Sequence, residues 1–208
     1  MELLLSKATF GILSSAFVLV GCVPYLNDII KRRVNPHILS WIGWGFLTAI
    51  GAFAMMAEGS TWATALLWGN TGACVLIVLG SIITKTGVWS TGLQDYVFFG
   101  AGLLGIVLWQ VLDMPILALI FAILADACFG IPTMIKTFKD PSTETPFVWG
   151  MSVVSEVFGL LALQNLSFHE MAYPVYLFIY DVTVLILILN IFKRKTIHIS
   201  ESEPNSPR

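Results

Sequence analysis

The sequence predicts an all-α membrane protein with seven transmembrane helices, arranged as a parallel repeat of three plus one plus three. Composition is the first observation: 57% of the 208 residues are hydrophobic, 12% are charged, and the mean hydropathy is +0.84. Soluble domains carry about 25% charged residues. The second observation is an internal repeat with an offset of 108 residues. In this repeat Pro24, Lys31, Trp41 and Gly51 recur as Pro132, Lys139, Trp149 and Gly159.

Seven apolar runs are close to the length of about 20 residues that crosses about 30 Å of hydrocarbon. These spans cover residues 8–30, 37–57, 62–83, 95–112, 115–136, 147–166 and 172–192. The offset aligns spans 1, 2 and 3 with spans 5, 6 and 7, so both copies enter the membrane from the same side and span 4 is a connector. The predicted units are a first triple-helix bundle (1–85), a connector helix (86–113), a second triple-helix bundle (114–195) and a disordered cytoplasmic tail (196–208).

Basic residues in the connections predict the orientation of the chain. With seven spans, one side of the membrane receives Lys31, Arg32, Arg33, Lys85, Lys136, Lys139, Lys193, Arg194 and Lys195. The opposite side has Lys7 as its only cation. Because loops rich in lysine and arginine stay in the cytoplasm, we expect the N-terminus outside and the C-terminus in the cytoplasm. The protein is then an integral, multi-pass component of a plasma, inner or organelle membrane.

Four prolines recur near the predicted cytoplasmic ends of spans. Pro24 and Pro132 lie about four residues before the ends of spans 1 and 5. A proline there lacks an N–H and frees a carbonyl, which can kink a helix and act as a hinge. Prolines near helix ends also simply stop helices, but the same break in both copies favours the hinge. Pro36 and Pro146 stand at the starts of spans 2 and 6, where proline is well tolerated.

Two connecting segments carry a family resemblance. One contains Pro132-Thr133, Phe138-Lys139, Ser142-Thr143-Glu144 and Pro146, and the other contains Pro24-Tyr25, Arg32-Arg33 and Pro36. The first resembles the loop between helices 5 and 6 of SWEET sugar transporters, and the second resembles the same element in SWEET and PQ-loop proteins. The resemblance implies two triple-helix bundles around a central solute path, with alternating access. It also implies that Pro24, Pro36, Pro132 and Pro146 gate the cytoplasmic side.

Three acids lie in mid-span, all in the second copy of the repeat: Asp126, Glu156 and Asp181. A carboxylate at that depth costs about 2.5–3.5 kcal/mol on insertion scales. No lysine or arginine lies at comparable depth, so each acid is protonated, hydrated in a cavity, or paired with a proton, metal cation or ammonium group from outside. The plainer alternative for any one of them is a protonated acid that hydrogen-bonds a neighbouring helix. Three acids at one depth favour a role in coupling to protons or solute charge.

Asn70 aligns with Asp181 at an offset of 111 residues. SWEETs have an asparagine on each of these helices in the substrate pocket, so the resemblance implies that Asn70 and Asp181 contact the solute. An ionised aspartate only accepts hydrogen bonds, which favours a cationic or zwitterionic solute. Tyr180 is deep enough in span 7 to join them. Trp41, Trp44 and Trp149, near the cytoplasmic ends of spans 2 and 6, have positions typical of interfacial anchors.

The sequence therefore predicts a transporter of a small polar solute that works by alternating access, with proton coupling as a further expectation. A facilitative sugar transporter and a seven-helix receptor for a small ligand or peptide signal are the alternatives. A retinal protein needs a lysine in mid-span 7, which is absent. Zinc sites need clustered ligands, and His37, His169 and His198 are separate. We expect no enzymatic activity, cofactor, metal site or nucleic-acid partner; the expected partners are the solute, the lipid bilayer and protons, and a homo-oligomer is compatible with them.

Overall fold

The computed structural model describes residues 2–34, 36, 38–89, 92–139, 141, 144 and 146–189. This part of the chain forms seven α-helices: α1 (Glu2–Ile30), α2 (Ile38–Ala57), α3 (Ala65–Thr84), α4 (Leu93–Leu112), α5 (Pro115–Lys139), α6 (Pro146–Leu161) and α7 (Phe168–Leu189). A 3₁₀ turn at Trp62–Thr64 precedes α3. The predicted all-α class is confirmed. The predicted cytoplasmic tail, residues 196–208, lies outside the described residues.

Five helices of the described chain are long and apolar enough to cross a membrane, as expected of a membrane protein. They are Ser6–Ile30, Ile38–Ala57, Trp62–Thr84, Pro115–Lys139 and Phe168–Leu189. The apolar segments Leu103–Leu112 and Pro146–Leu161 are shorter. The 16 residues of α6 rise about 24 Å at 1.5 Å each, which is less than the hydrocarbon thickness of about 30 Å. The sequence therefore predicts two more full-length spans than the described helices provide.

The shortening of span 6 relative to its predicted range of 147–166 has a local cause. The carboxylate of Glu170, at the start of α7, is fully buried. Its Oε2 accepts hydrogen bonds from the backbone N–H groups of Gln164 at 2.7 Å and Asn165 at 2.8 Å. These N–H groups point at a side chain instead of at helix carbonyls, so α6 ends at Leu161 and a turn follows.

Six of the helices pack as a closed ring. α3 packs against both α1 and α2, and α7 packs against both α5 and α6. The ring is completed by contacts of α1 with α6 and of α2 with α5. The order around the ring is therefore α1, α3, α2, α5, α7, α6. α4 lies outside it, mainly against α5.

The prolines differ in how they sit in this framework. Pro24 lies inside α1, and α5 continues through position 132 to Lys139. Pro146 is the first residue of α6, as predicted. Pro36 is not at the start of a helix but in the connection before α2. Its carbonyl accepts a hydrogen bond from the Val88 N–H at 2.8 Å, which ties the α1–α2 connection to the α3–α4 connection.

Candidate functional site

A cavity of about 440 Å³ lies at the centre of the helix ring, and all six ring helices line it. Polar residues at its inner end include Asn70 in the first half of α3 and Asp126 and Asp181 near the middle of α5 and α7. From there it extends towards the connections α1–α2 and α5–α6, where Pro36 and Glu144 line it. Cavities of 300–1,000 Å³ are typical of small-molecule sites. The position and size of this one suit a small solute.

The opposite end of the ring is tightly packed. The side chains of Ser14 on α1 and Ser155 on α6 are fully buried, with their hydroxyl oxygens 3.3 Å apart, and the Ser155 hydroxyl donates to the Ser14 carbonyl at 2.7 Å. Beside them, a Cβ on Gly159 would lie 2.8 Å from the Leu66 side chain. We call Ser14, Ser155, Gly159 and Leu66 the serine seam. The serine seam lies about one helical turn beyond the lining residues Val18 and Ser152 and closes the contact between α1 and α6 at this end, whereas at the other end the cavity reaches the connections.

Acidic side chains dominate the charge of the cavity. Four carboxylates line it, Asp28, Asp126, Glu144 and Asp181, and no lysine, arginine or histidine of the described chain does so. Asp28, at the mouth, forms an ion pair with Arg33 at 3.5 Å. Within the described residues, no lysine or arginine lies within salt-bridge distance of the two deeper acids. The floor of the cavity therefore has carboxyl groups without a built-in counter-ion.

Asp126 is held by a tyrosine of the neighbouring helix. The hydroxyl of Tyr176 on α7 donates a 2.7 Å hydrogen bond to Asp126 Oδ2. The hydroxyl of Tyr173 also points towards this carboxyl group, but it does not reach hydrogen-bond geometry. This hydrogen bond fixes the orientation of Asp126, which lines the cavity.

Glu156 and Asp181 form a pair of carboxyl groups between α6 and α7. The two groups are close enough to interact electrostatically, and Ser152 lies beside Asp181. Asp181 lines the cavity, whereas Glu156, 2% exposed, lies behind it, and its Oε2 has no hydrogen-bond partner. Two ionised carboxylates in contact repel strongly in a poorly solvated site. The pair is therefore stable with a proton or another cation between its members.

The first half of the ring has an uncharged version of this contact. Thr48 on α2 and Thr71 on α3 lie with their hydroxyl oxygens 2.9 Å apart. Thr48 occupies the repeat position of Glu156. The nearby amide of Asn70 donates to the Leu66 carbonyl at 3.1 Å. The carboxyl groups in the deep part of the cavity thus come from the second half alone.

Aromatic residues form much of the remaining wall: Tyr25, Trp41, Trp44, Trp149 and Tyr180. The three tryptophans, which the sequence suggested were interfacial anchors, line the cavity instead. The Trp149 indole N–H donates to Glu144 at 3.1 Å, and the Tyr180 hydroxyl donates to the Gly130 carbonyl at 3.0 Å. The repeat match of Trp41 with Trp149 was the one sequence signal that could have indicated this role, because paired positions in two halves face the same central space.

The residues singled out from the sequence divide into three groups. Asn70, Asp126, Tyr180 and Asp181 line the cavity, and Pro36 lines its mouth. Glu156 lies behind the cavity, in contact with Asp181. Pro24 and Pro146 are not among the lining residues, and the side chain of Pro132 lies outside the described part of the chain. In comparisons of the chain with protein-family profiles, curated proteins and solved structures, nothing matches.

Proposed function

We propose that this protein is a multi-pass membrane transporter that moves a small polar solute by alternating access, as the SWEET and PQ-loop proteins that it resembles do. The observation that carries the proposal is the central cavity, which opens towards one end of the ring and is closed at the other by the serine seam. A transporter in a state with one gate closed and the other open has a central cavity of this kind. The wall also contains residues from every ring helix, so movement of one half against the other would change the site directly.

The pattern of helix contacts supports a parallel repeat. Exchanging α1, α2 and α3 for α5, α6 and α7 turns each main contact of the ring into another one: α1–α3 into α5–α7, α2–α3 into α6–α7, and α1–α6 into α5–α2. This two-fold relation is what three plus one plus three spans would produce, with α4 as the connector. We propose seven spans on this basis, with the N-terminus outside. The cavity then opens to the cytoplasm, on the side of Lys31 and Lys85.

Alternating access requires one gate to open as the other closes. In this proposal, the two halves rock so that the serine seam separates while the α1–α2 and α5–α6 connections approach each other. Pro24, inside α1, and the equivalent position 132 in α5 supply the points where the helices bend. Pro36 and Pro146 stand where the connections enter α2 and α6, at the gate that closes.

The charge of the cavity favours a solute that is cationic or zwitterionic, and it favours proton coupling. Asp126 and Asp181 lack a fixed counter-ion in the described chain, so an incoming positive charge gains a favourable interaction there. Asn70 and Tyr180 are the neutral contacts in the same space. Glu156, behind Asp181, is the residue that would carry a proton between the cavity and the closed side.

Flux into proteoliposomes, with and without an imposed pH gradient, tests both parts of the proposal. We expect a pH gradient to drive uptake of at least one solute from a panel of amines, amino acids, vitamins and sugars. Glu156→Gln should retain binding but lose the response to the gradient, because glutamine keeps the shape and cannot release a proton. Glu58→Gln, at an exposed turn, is the matched control and should respond as the unmodified protein does. Gradient-driven uptake that survives both Glu156→Gln and Asp126→Asn excludes these acids as proton carriers.

The facilitative sugar transporter stays a second candidate because of Asn70 and the tryptophans of the wall. Indole faces pack well against sugar rings, and an amide offers both donor and acceptor groups. Uptake of a neutral sugar that ignores the pH gradient would favour this candidate. Saturable binding of a solute with no flux would instead favour the receptor alternative.

A further inference from the structure

Neighbouring aromatic rings of the cavity are tilted or nearly perpendicular to each other and are not stacked face to face. The rings of Trp41 and Trp44 have centroids 5.4 Å apart and planes at 79°, and Tyr25 lies against Trp41 at 5.5 Å and 42°. Across the cavity, Trp149 and Tyr180 are 6.0 Å apart with planes at 53°. Rings set at such angles offer several faces and edges to one enclosed group. Aromatic cages hold alkylated ammonium groups through cation–π attraction to ring faces of this kind.

The carboxylates of the floor complement these rings. Asp126 and Asp181 line the same space as the aromatic wall, and the described lining has no cationic side chain. A bound positive charge would therefore meet negative ring faces on the sides and carboxylate oxygens at the deep end. Both attractions act together in a partly buried site, where they are screened less than at a surface.

Other ligand classes fit this lining less well. An inorganic cation prefers to replace its water shell with several oxygen ligands, and no group of three histidine, cysteine or acidic side chains suited to a metal occurs in the described chain. A neutral polyol could hydrogen-bond the hydroxyl, amide and indole groups of the lining. It brings no positive charge, however, to Asp126 and Asp181, which have no counter-ion in the described chain.

We propose that the cavity is an ammonium site, in which Trp41, Trp44 and Trp149 enclose the alkyl groups of an organic cation while Asp126 and Asp181 balance its charge. This assignment names the solute class for the transport proposed above and rests on it for its biological meaning, but the binding itself does not depend on transport. The ligand class is a small amine with an alkylated ammonium head group, of a size that a cavity of about 440 Å³ can hold.

Binding of matched charged and neutral probes to the purified protein tests the proposal. The probes are choline against dimethylbutanol, its neutral carbon isostere, and butylammonium against butanol, measured by calorimetry in one detergent. We expect each cation to bind at least tenfold more tightly than its neutral partner and to be displaced by the other cation. Equal affinity for charged and neutral partners, no detectable binding of either cation, or displacement of choline by the same concentration of sodium would overturn the assignment.

Substitutions at the tryptophans separate the cage from general packing. Trp41→Leu and Trp149→Leu should each weaken choline binding roughly two- to thirtyfold, the range expected for a lost cation–π contact. Trp41→Tyr should fall in between, because tyrosine keeps an aromatic face. Trp68→Leu is the control: Trp68 lies outside the cavity, against Phe53, and its loss should leave choline binding unchanged. If a Trp41 variant fails to fold, the Trp149 variant and the probe comparison still decide the question.

Flux measurements distinguish the two proposals from each other. Choline that binds with the expected selectivity but does not cross proteoliposome membranes supports the ammonium site and contradicts transport. Uptake of a neutral solute that choline does not inhibit supports transport and contradicts the ammonium site.

Discussion

Alanine at Gly130 is expected to displace Tyr180 from its position between α5 and α7. A Cβ at residue 130 would lie 2.7 Å from Tyr180 Cζ and 2.9 Å from its hydroxyl oxygen, closer than real Cβ contacts. The tyrosine hydroxyl also donates a 3.0 Å hydrogen bond to the Gly130 carbonyl. The ring therefore has to move, and the hydrogen bond is lost when it does. Because Tyr180 lines the cavity, the same substitution perturbs the proposed solute site.

The expected destabilisation is the sum of two destabilising contributions and one stabilising contribution. Overpacking a tight interface costs about 1–3 kcal/mol, and losing the hydrogen bond costs about 1 kcal/mol. Alanine favours a helix over glycine by about 1 kcal/mol. Gly130→Ala should thus lower the free energy of unfolding by about 1–3 kcal/mol. Gly150→Ala on α6 is the matched control, because nothing lies within 4 Å of its added Cβ. It should raise stability by up to about 1 kcal/mol.

Thermal unfolding of both variants in one detergent measures this difference. The free energies of unfolding of the two alanine variants should differ by about 1–4 kcal/mol, which for a chain of this size corresponds to melting temperatures roughly 2–16 °C apart. Gly130→Ala should also weaken choline binding, while Gly150→Ala should not. Melting temperatures within about 1 °C of each other would refute the close packing of Tyr180 on Gly130, and with it the α5–α7 contact that forms this side of the cavity.

Three further predictions concern the contacts around the cavity. Tyr176→Phe removes the donor to a buried carboxyl group and should cost about 1–3 kcal/mol of stability in the same melting assay; no loss would mean that the hydrogen bond is absent. Glu170→Ala leaves two backbone N–H groups of the α6–α7 turn without their acceptor and should destabilise more than Glu170→Gln, which keeps an accepting oxygen; equal melting temperatures would contradict this. Cysteines at Ser14 and Ser155, in a background without native cysteines, should cross-link on oxidation and abolish solute flux until reduced; flux through the cross-linked protein would show that the serine seam is not a gate.

The helices were predictable from the sequence because each is determined mainly by its own run of apolar residues. Long apolar runs fix α2, α3 and α5 to within a few residues of the predicted ranges, since single polar residues such as Asn70 and Asp126 do not end them. The end of α6 was not predictable in this way. It depends on Glu170, whose carboxylate is brought to the turn by the packing of α7 and competes for its N–H groups. Because this side chain belongs to the next helix, the hydropathy of the α6 segment does not reveal where α6 ends.

The acidic residues of the candidate site were predictable from the sequence, but the tryptophans of its wall were not. A carboxylate in an apolar run stands out at any rotation of its helix, so Asp126, Asp181 and Glu156 were identifiable from depth alone. Tryptophan is common both at lipid interfaces and in protein interiors, so its presence does not distinguish the two. Helices that are apolar all round have no pattern to show which face turns inward, so the sequence offered only the repeat match of Trp41 with Trp149 as a sign of their inward position.

If the protein is a transporter as proposed, the presence of the deep acids in the second half alone affects its transport cycle. An open cavity lets water solvate Asp181, but closing both gates removes that water, and an unpaired carboxylate in a dry interior costs about 2.5–3.5 kcal/mol or more. A bound ammonium ion offsets this cost, and so does a proton shared between Glu156 and Asp181. The empty, deprotonated carrier should therefore resist closure, whereas the solute-loaded and the protonated carriers should close. Alternating access by this protein would then exchange an ammonium ion for a proton, because each supplies the positive charge that the second half of the ring lacks.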